Sequence, residues 1–169
     1  MAEMSGTKTE KNLQEAFAGE SQANRKYLAF AKKAEQEGYL QVAKLFRAAA
    51  EAETVHAHAH LRVLGGIGST AANLREAVSG ETFEFTKMYP EMIREATQEG
   101  FDTALRSFTY ANDVEKVHAE LYQRALDTLG KNTAVDYYVC QVCGNTIEGA
   151  PEGPCEVCAS APSAFRKID

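Results

Sequence analysis

Glu53-Thr-Val-His56 and Glu115-Lys-Val-His118 repeat one motif, Glu-x-x-His, at a spacing of 62 residues. Helix positions i and i+3 lie about 60° apart, so both side chains of each motif face the same way and can reach one metal ion. Glu20 and Glu81 each interrupt an otherwise apolar helix pattern upstream of one motif. Carboxylates and imidazoles on apolar faces are costly unless a cation sits among them. Two Glu-x-x-His motifs plus one glutamate from each of two further helices form a ligand plan for a pair of metal ions between four helices. Mixed oxygen and nitrogen donors suit iron or manganese. One such motif alone is ordinarily a solvated side-chain pair. Two copies at matching places, each with its glutamate on a paired helix, argue for the metal.

The set is not symmetric. Glu84 follows Glu81 by three residues, whereas the matching position in the first copy is Ala23. The spacing gives Glu84 a ligand or switching role in preference to plain exposure. His58 points away from the face of His56 and reads as a surface residue. His60 shares that face and reads as a polar core residue with a partner. Tyr27 and Tyr89 could hydrogen-bond near the metals, although their spacing equally describes packed tyrosines with satisfied hydroxyls.

A second chemistry lies near the C-terminus. Cys140-Gln-Val-Cys143-Gly144 and Cys155-Glu-Val-Cys158 stand eleven residues apart. Each Cys-x-x-Cys makes a knuckle offering two sulfurs, and two knuckles complete a tetrahedral four-thiolate cage. By spacing alone zinc, as a structural staple, is the first choice. Iron in the same cage would carry one electron.

The elements that must position these residues are visible as an internal repeat. Asn12-Leu13-Gln14-Glu15-Ala16 returns as Asn73-Leu74-Arg75-Glu76-Ala77, Gly19-Glu20 as Gly80-Glu81, and Gln36-Glu37-Gly38-Tyr39 as Gln98-Glu99-Gly100-Phe101. The offset grows from 61 to 62, so the second copy carries one extra residue between Glu81 and Gly100, near Pro90. An extra residue within a helix predicts a π-bulge. Each copy reads as a helix–turn–helix. Leu13, Phe17, Glu20, Asn24, Tyr27, Ala31 and Ala34 share one face, and Gly38 ends that helix. Val42, Phe46, Ala49, Glu53, His56, His60 and Val63 share the next, before the Gly65–Ser69 connector. Phe108, Ala111, Glu115, His118, Tyr122, Ala125 and Leu129 repeat it. The expected fold is an all-α four-helix bundle of ferritin-like type, built from two helix-hairpin repeats, over residues 1–133. A small cysteine-bearing metal domain is expected over 134–169, too short to fold without a metal staple.

The whole composition agrees with such a protein. Of 169 residues, 44% are hydrophobic and 25% charged, and the net charge is −6. No basic cluster recommends nucleic acid or an anionic membrane as partner. The stretch Met1–Asn12 lacks a signal peptide's apolar run, and no apolar run has membrane-spanning length. In a reducing compartment paired cysteines of this kind mean metal rather than disulfides. The expectation is cytoplasmic.

In order along the chain, Gly19-Glu20-Ser21-Gln22-Ala23, the paired Glu-x-x-His motifs, Glu81-x-x-Glu84 with Met88-Tyr89-Pro90, and Tyr138-Val139-Cys140-x-x-Cys143-Gly144 resemble the rubrerythrin family over essentially the whole length. The resemblance implies a non-haem di-iron centre ligated by Glu20, Glu53, His56, Glu81, Glu84, Glu115 and His118. It implies one iron in a rubredoxin-like domain at Cys140, Cys143, Cys155 and Cys158. It also implies reduction of hydrogen peroxide to water in oxidative-stress defence, with electrons delivered through the cysteine-bound iron from a reductase or rubredoxin-type donor. Tyr27 and Tyr89 match family tyrosines beside the di-iron centre and join Glu84 as catalytic candidates. Two departures stand out: Glu156 and Ala159 replace the proline and glycine usual in the second knuckle, and His60 stands where an apolar residue is expected. The expected assembly is a homodimer or larger. Within one chain the cysteine domain is expected to end far from the bundle centre, near which a partner copy would bring it. Iron oxidation and storage, or a zinc-bound stress protein without catalysis, are the rival readings.

Overall fold

The computed structural model describes residues 4–169; Met1, Ala2 and Glu3, at the head of the polar start, lie outside the described residues. Two compact units emerge, one running to Gly68 and the other from Ser69 to Asp169.

The first unit is a helical hairpin. Helix α1 spans Lys8–Gln36 and α2 spans Leu40–Val63. Thr7 opens α1 by accepting the Glu10 N–H at 3.1 Å, while the Glu10 carboxylate reaches back to the Gly6 N–H at 2.6 Å. These bonds satisfy two donors at the chain's entry to the helix. At the other end Gly38 takes φ +83°, a left-handed conformation that turns the chain into α2. The buried positions are small: Ala31 and Ala34 on α1, and Ala43, Ala50 and Ala57 on α2. Small side chains let two helices approach closely, though each buried methyl contributes only about 0.8 kcal/mol. Here the expected face of α2 is corrected. Val42 and Val63 are 45% and 60% exposed, and the alanine stripe one residue further round takes the contact. Asn24 fastens the pair, donating to the Ala50 carbonyl at 2.7 Å and to Thr54 Oγ1 at 2.9 Å.

The second unit repeats the plan with one irregularity. Helix α3 spans Thr70–Phe83, capped by the Ser69 hydroxyl; a π-helical turn covers Glu84–Met88; α4 continues over Tyr89–Glu99. The Tyr89 N–H bonds to the Glu84 carbonyl five residues back. This is the bulge expected from the extra residue. Pro90 follows immediately and can donate no hydrogen bond, so the regular ladder is interrupted there in any case. Gly100, at φ +75°, turns the chain into α5, Asp102–Asp127.

Beyond α5 the chain forms three short antiparallel strands, β1 (Tyr137–Cys140), β2 (Thr146–Glu148) and β3 (Phe165–Ile168), in the order β2-β1-β3. Tyr138 pairs with Ile147 on one side and Lys167 on the other. The fold class is the expected one: ferritin-like helix-hairpin repeats followed by a small rubredoxin-like metal-binding domain. Among the described residues, no helix is long and apolar enough to cross a membrane.

Candidate metal centres

Among the described residues, three groups of side chains converge tightly enough to hold an ion: Glu20, Glu53 and His56; Glu81, Glu115 and His118; and the four cysteines. Within each group the possible ligand atoms lie within 4.8 Å of one another.

In the first unit, α1 supplies Glu20 and α2 supplies Glu53 and His56. His56 Nδ1 stands 2.9 Å from Glu53 Oε2, as the i,i+3 spacing requires. The imidazole is 56% exposed while the Glu53 side chain is 18% exposed. One turn along, the Asn24 clamp fixes the register of the two helices that present these groups. His58 is exposed and His60 half-buried. Tyr27 packs its ring against Phe30 and Phe46, with centroids 6.4 and 6.2 Å away.

In the second unit, α3 supplies Glu81 and α5 supplies Glu115 and His118. His118 Nδ1 stands 2.7 Å from Glu115 Oε2 and 3.9 Å from Glu81 Oε1. Burial pushes the Glu81 carboxyl up to about 7, reinforced by the charge of Glu115, a hydrogen bond with it, and then the charge of Glu84. Converging carboxylates that resist losing their protons are what a bound cation relieves, so the donor set fits a hard or borderline metal. Glu84, in the π turn, stands outside the tight triad. Burial and Glu115 raise its pKa while His118 opposes them. Tyr89 rests against Phe108 at 6.4 Å, and its phenol is raised by burial, then by Glu115, Glu84 and Glu81. Tyr122, one turn beyond His118, was read from the sequence only as part of the helix face. Its phenol is also raised, by burial, Glu81 and Glu115. Its i+4 spacing from His118 was the available signal.

The four cysteines form the third group, with Sγ pairs Cys140–Cys158 at 3.7 Å and Cys143–Cys155 at 3.6 Å. Cys140 and Cys155 are 1% and 4% exposed. In the first knuckle the Gly144 N–H bonds to the Cys140 carbonyl at 2.9 Å; in the second, the Ala159 N–H bonds to Cys155 at 2.8 Å. Ala159, at φ +58°, occupies the left-handed conformation that Gly144 holds at +89°. The buried Asn145 side chain points its Nδ2 at Cys155 Sγ, 3.7 Å away. Burial disfavours the Cys158 thiolate, but the hydroxyl and backbone of Ser160 outweigh it and bring the thiol down to about 6. Burial pushes the Cys143 thiol up. Four sulfurs in one small cage fit a tetrahedral thiolate metal.

The cysteine domain does not end far from the helices of its own chain. It lies along α5 in the second unit. His118 Nε2 meets Thr146 Oγ1 at 2.9 Å, Thr146 Oγ1 meets the Gly144 carbonyl at 3.2 Å, and Arg124 pairs with Glu148 at 3.3 Å. A hydrogen-bonded path therefore runs from the second triad to the residue following Cys143. A cavity of about 320 Å³ opens beside it, lined by His118, Tyr122, Tyr137 and Thr146 among others.

Residues 11–126 match the family model described as Rubrerythrin. Rubrerythrin of Porphyromonas gingivalis is 37% identical, over 96% of this chain and 91% of the relative. Nigerythrin of Nitratidesulfovibrio vulgaris is 34% identical, over 93% and 85% respectively. Among solved structures, the mixed-valence state of nigerythrin superposes with a TM-score of 0.58 at 33% identity, over 99% of this chain and 92% of that one.

Proposed function

The chain belongs to the rubrerythrin family, and on that premise we propose that it is a non-haem di-iron peroxidase that reduces hydrogen peroxide to water. Its cofactors are two iron ions among the bundle carboxylates and histidines and one at the four cysteines. The proposed division of labour gives peroxide reduction to residues 1–133 and electron delivery to 134–169. The proposed bundle ligands are Glu20, Glu53, His56, Glu81, Glu84, Glu115 and His118.

These residues would hold an iron pair that, when bound, would supply two electrons and Lewis acidity toward peroxide. Two protons complete the conversion of one peroxide to two waters. Glu84 sits on the π turn outside the tight triad, where a carboxylate can approach or withdraw as the site's charge changes. Tyr89, whose phenol is raised by burial and then by Glu115, Glu84 and Glu81, is the proposed hydrogen-bond donor to a reacting oxygen, with Tyr27 as its counterpart in the first repeat.

The observation that carries this reading over iron storage is the path from His118 through Thr146 to Gly144. A storage protein has no use for a one-electron site bonded to a ligand of the bundle metals. Anaerobic stopped-flow absorbance tests it. The fully reduced protein is mixed with hydrogen peroxide and the visible band of the cysteine-bound iron followed. Rapid return of the ferric colour, at least a hundredfold slower in Glu115→Ala by the cost of losing metal-site residues, is the expected outcome. Equal slow rates in both proteins would favour oxidation and storage, and a colourless cysteine site would favour structural zinc. We further propose a homodimer or larger assembly. Leu45, Val55 and Phe30 are 67%, 57% and 48% exposed and call for a cover, which light scattering would register as a mass of at least twice 18.5 kDa.

A further inference from the structure

We propose that Thr146 is a positioning residue that makes the second triad's readiness for metal depend on the folded cysteine domain, because its hydroxyl favours the His118 tautomer that leaves Nδ1 bare. The inference rests on the reading of Glu81, Glu115 and His118 as metal ligands, and it concerns assembly of the site rather than turnover.

A neutral imidazole carries one proton and two nitrogens to place it on. His118 Nδ1 faces Glu115 at 2.7 Å and Glu81 at 3.9 Å. Carboxylates accept hydrogen bonds, so on their own they draw the imidazole proton onto Nδ1. A metal ion needs the opposite arrangement, with the Nδ1 lone pair facing the carboxylates and the proton on Nε2. Thr146 offers Nε2 an acceptor at 2.9 Å. The direction of that bond is set from beyond it. The Gly144 carbonyl, 3.2 Å from Thr146 Oγ1, can only accept, so the hydroxyl proton goes there and the oxygen lone pair is turned to His118. The chain of donors runs from Nε2–H to Oγ1–H to the carbonyl. Metal-bound histidines generally have their outer N–H held in this manner.

Both Thr146 and its partner carbonyl belong to the cysteine domain. Gly144 follows Cys143 directly, holds φ +89°, and closes the first knuckle through its N–H to Cys140. Thr146 begins β2. So small a domain depends on its metal to fold, and a metal at the four sulfurs therefore places the acceptor that prepares His118. Linkage makes the effect mutual: metal in the triad stabilises the docked cysteine domain by the same factor. The first triad lacks this device. His56 also has Nδ1 against its glutamate, but its ring is 56% exposed and, among the described residues, no protein group partners its Nε2.

The test uses the full chain with zinc in the cysteine site and the bundle metal-free. Histidine ring ¹⁵N–¹H correlation spectra report the His118 tautomer, and titration with Co²⁺ reports affinity through its visible bands. Wild type is expected to carry a larger share of the Nε2–H form than Thr146→Val does. Thr146→Val should move population to Nδ1–H and weaken cobalt binding by about five- to tenfold, the effect of one hydrogen bond. Thr146→Ser should restore both, and Thr146→Ala, read beside Val, controls for altered packing. Withdrawing zinc should shift the wild-type tautomer as Thr146→Val does and leave Thr146→Val itself unmoved. An unchanged tautomer in Thr146→Val, or one indifferent to zinc in wild type, overturns the proposal. If the tautomer shifts as expected and cobalt binds no form of the protein, the positioning role stands and the ligand reading fails.

Discussion

His56 and His118 occupy matching places in the two repeats, each with Nδ1 against the glutamate three residues before it. Their surroundings differ. His56 is 56% exposed and His118 only 26%. The second triad has Glu84 and the π turn beside it, and Thr146 behind its imidazole. The first has a regular helix, Ala23, and the Asn24 clamp. Two copies of one motif thus stand in different surroundings. The first copy is held by helix packing and the Asn24 clamp inside its own hairpin. The second is held by packing plus a hydrogen bond from a separate domain, and it gathers the residues whose protonation the carboxylates disturb.

The sharpest way to break this comparison is to remove each imidazole in turn. His118→Ala should remove a proposed ligand, the anchor of Thr146, and the path toward Cys143 together. We expect at least a hundredfold slower reoxidation of the cysteine-bound iron by peroxide, together with loosened docking of the cysteine domain, seen as faster amide exchange in β2. His56→Ala should lower bundle iron content without changing exchange in β2. Equal effects on β2 in the two variants would mean that the repeats are equivalent in this respect.

This asymmetry was only partly legible in the sequence. The repeat offset growing by one residue near Pro90 located the π turn, because an extra residue in a helix has few other places to go. The carboxylate and histidine pattern likewise located both triads, since i,i+3 spacing fixes a shared face whatever the helix packs against. The Thr146 bond was not legible. It joins residues 28 apart in two different structural classes, and neither a threonine opening a strand nor a histidine on a helix announces the other. The exposed Val42 and Val63 were misread for a related reason: a helix hydrophobic on more than one side does not say which side its hairpin partner takes, and close approach favoured the alanines.

A second prediction sharpens the comparison through acid–base behaviour. Glu81 keeps its proton to about 7 in the fold, against 4.5 as its ordinary value, mainly through burial and then Glu115. Between those values the folded chain binds more protons than the unfolded one, so Glu81's contribution to stability is full below about 4.5 and lost as pH rises through 7. Metal-free protein should therefore melt at lower temperature at pH 7.5 than at pH 5.5. Glu81→Gln should flatten that dependence, and Glu20→Gln should leave it in place. A divalent ion should restore stability at the higher pH, because binding is then no longer opposed by the proton. A melting temperature that rises over this range in wild type would count against the crowded carboxylates.

The smallest effect expected lies in the two knuckles, which repeat the contrast inside the cysteine domain. Gly144 and Ala159 both take a left-handed conformation, and Gly144 lies against α5, where a methyl group would stand 3.8 Å from Val114. That distance is ordinary contact, so Gly144→Ala is charged only for its backbone, about 1–2 kcal/mol. Ala159→Gly relieves a similar strain but gives back about 0.4–1 kcal/mol through the freer unfolded chain. Its net gain is therefore between about 0 and 1.6 kcal/mol. Zinc release during thermal melting should come earlier in Gly144→Ala and slightly later in Ala159→Gly. Because Gly144 also supplies the carbonyl that orients Thr146, its substitution should reach further than its energy implies and disturb the His118 ring resonances. Ala159→Gly should leave them where they are. Disturbance by both would mean that the whole domain, rather than the first knuckle, carries the connection to the second triad.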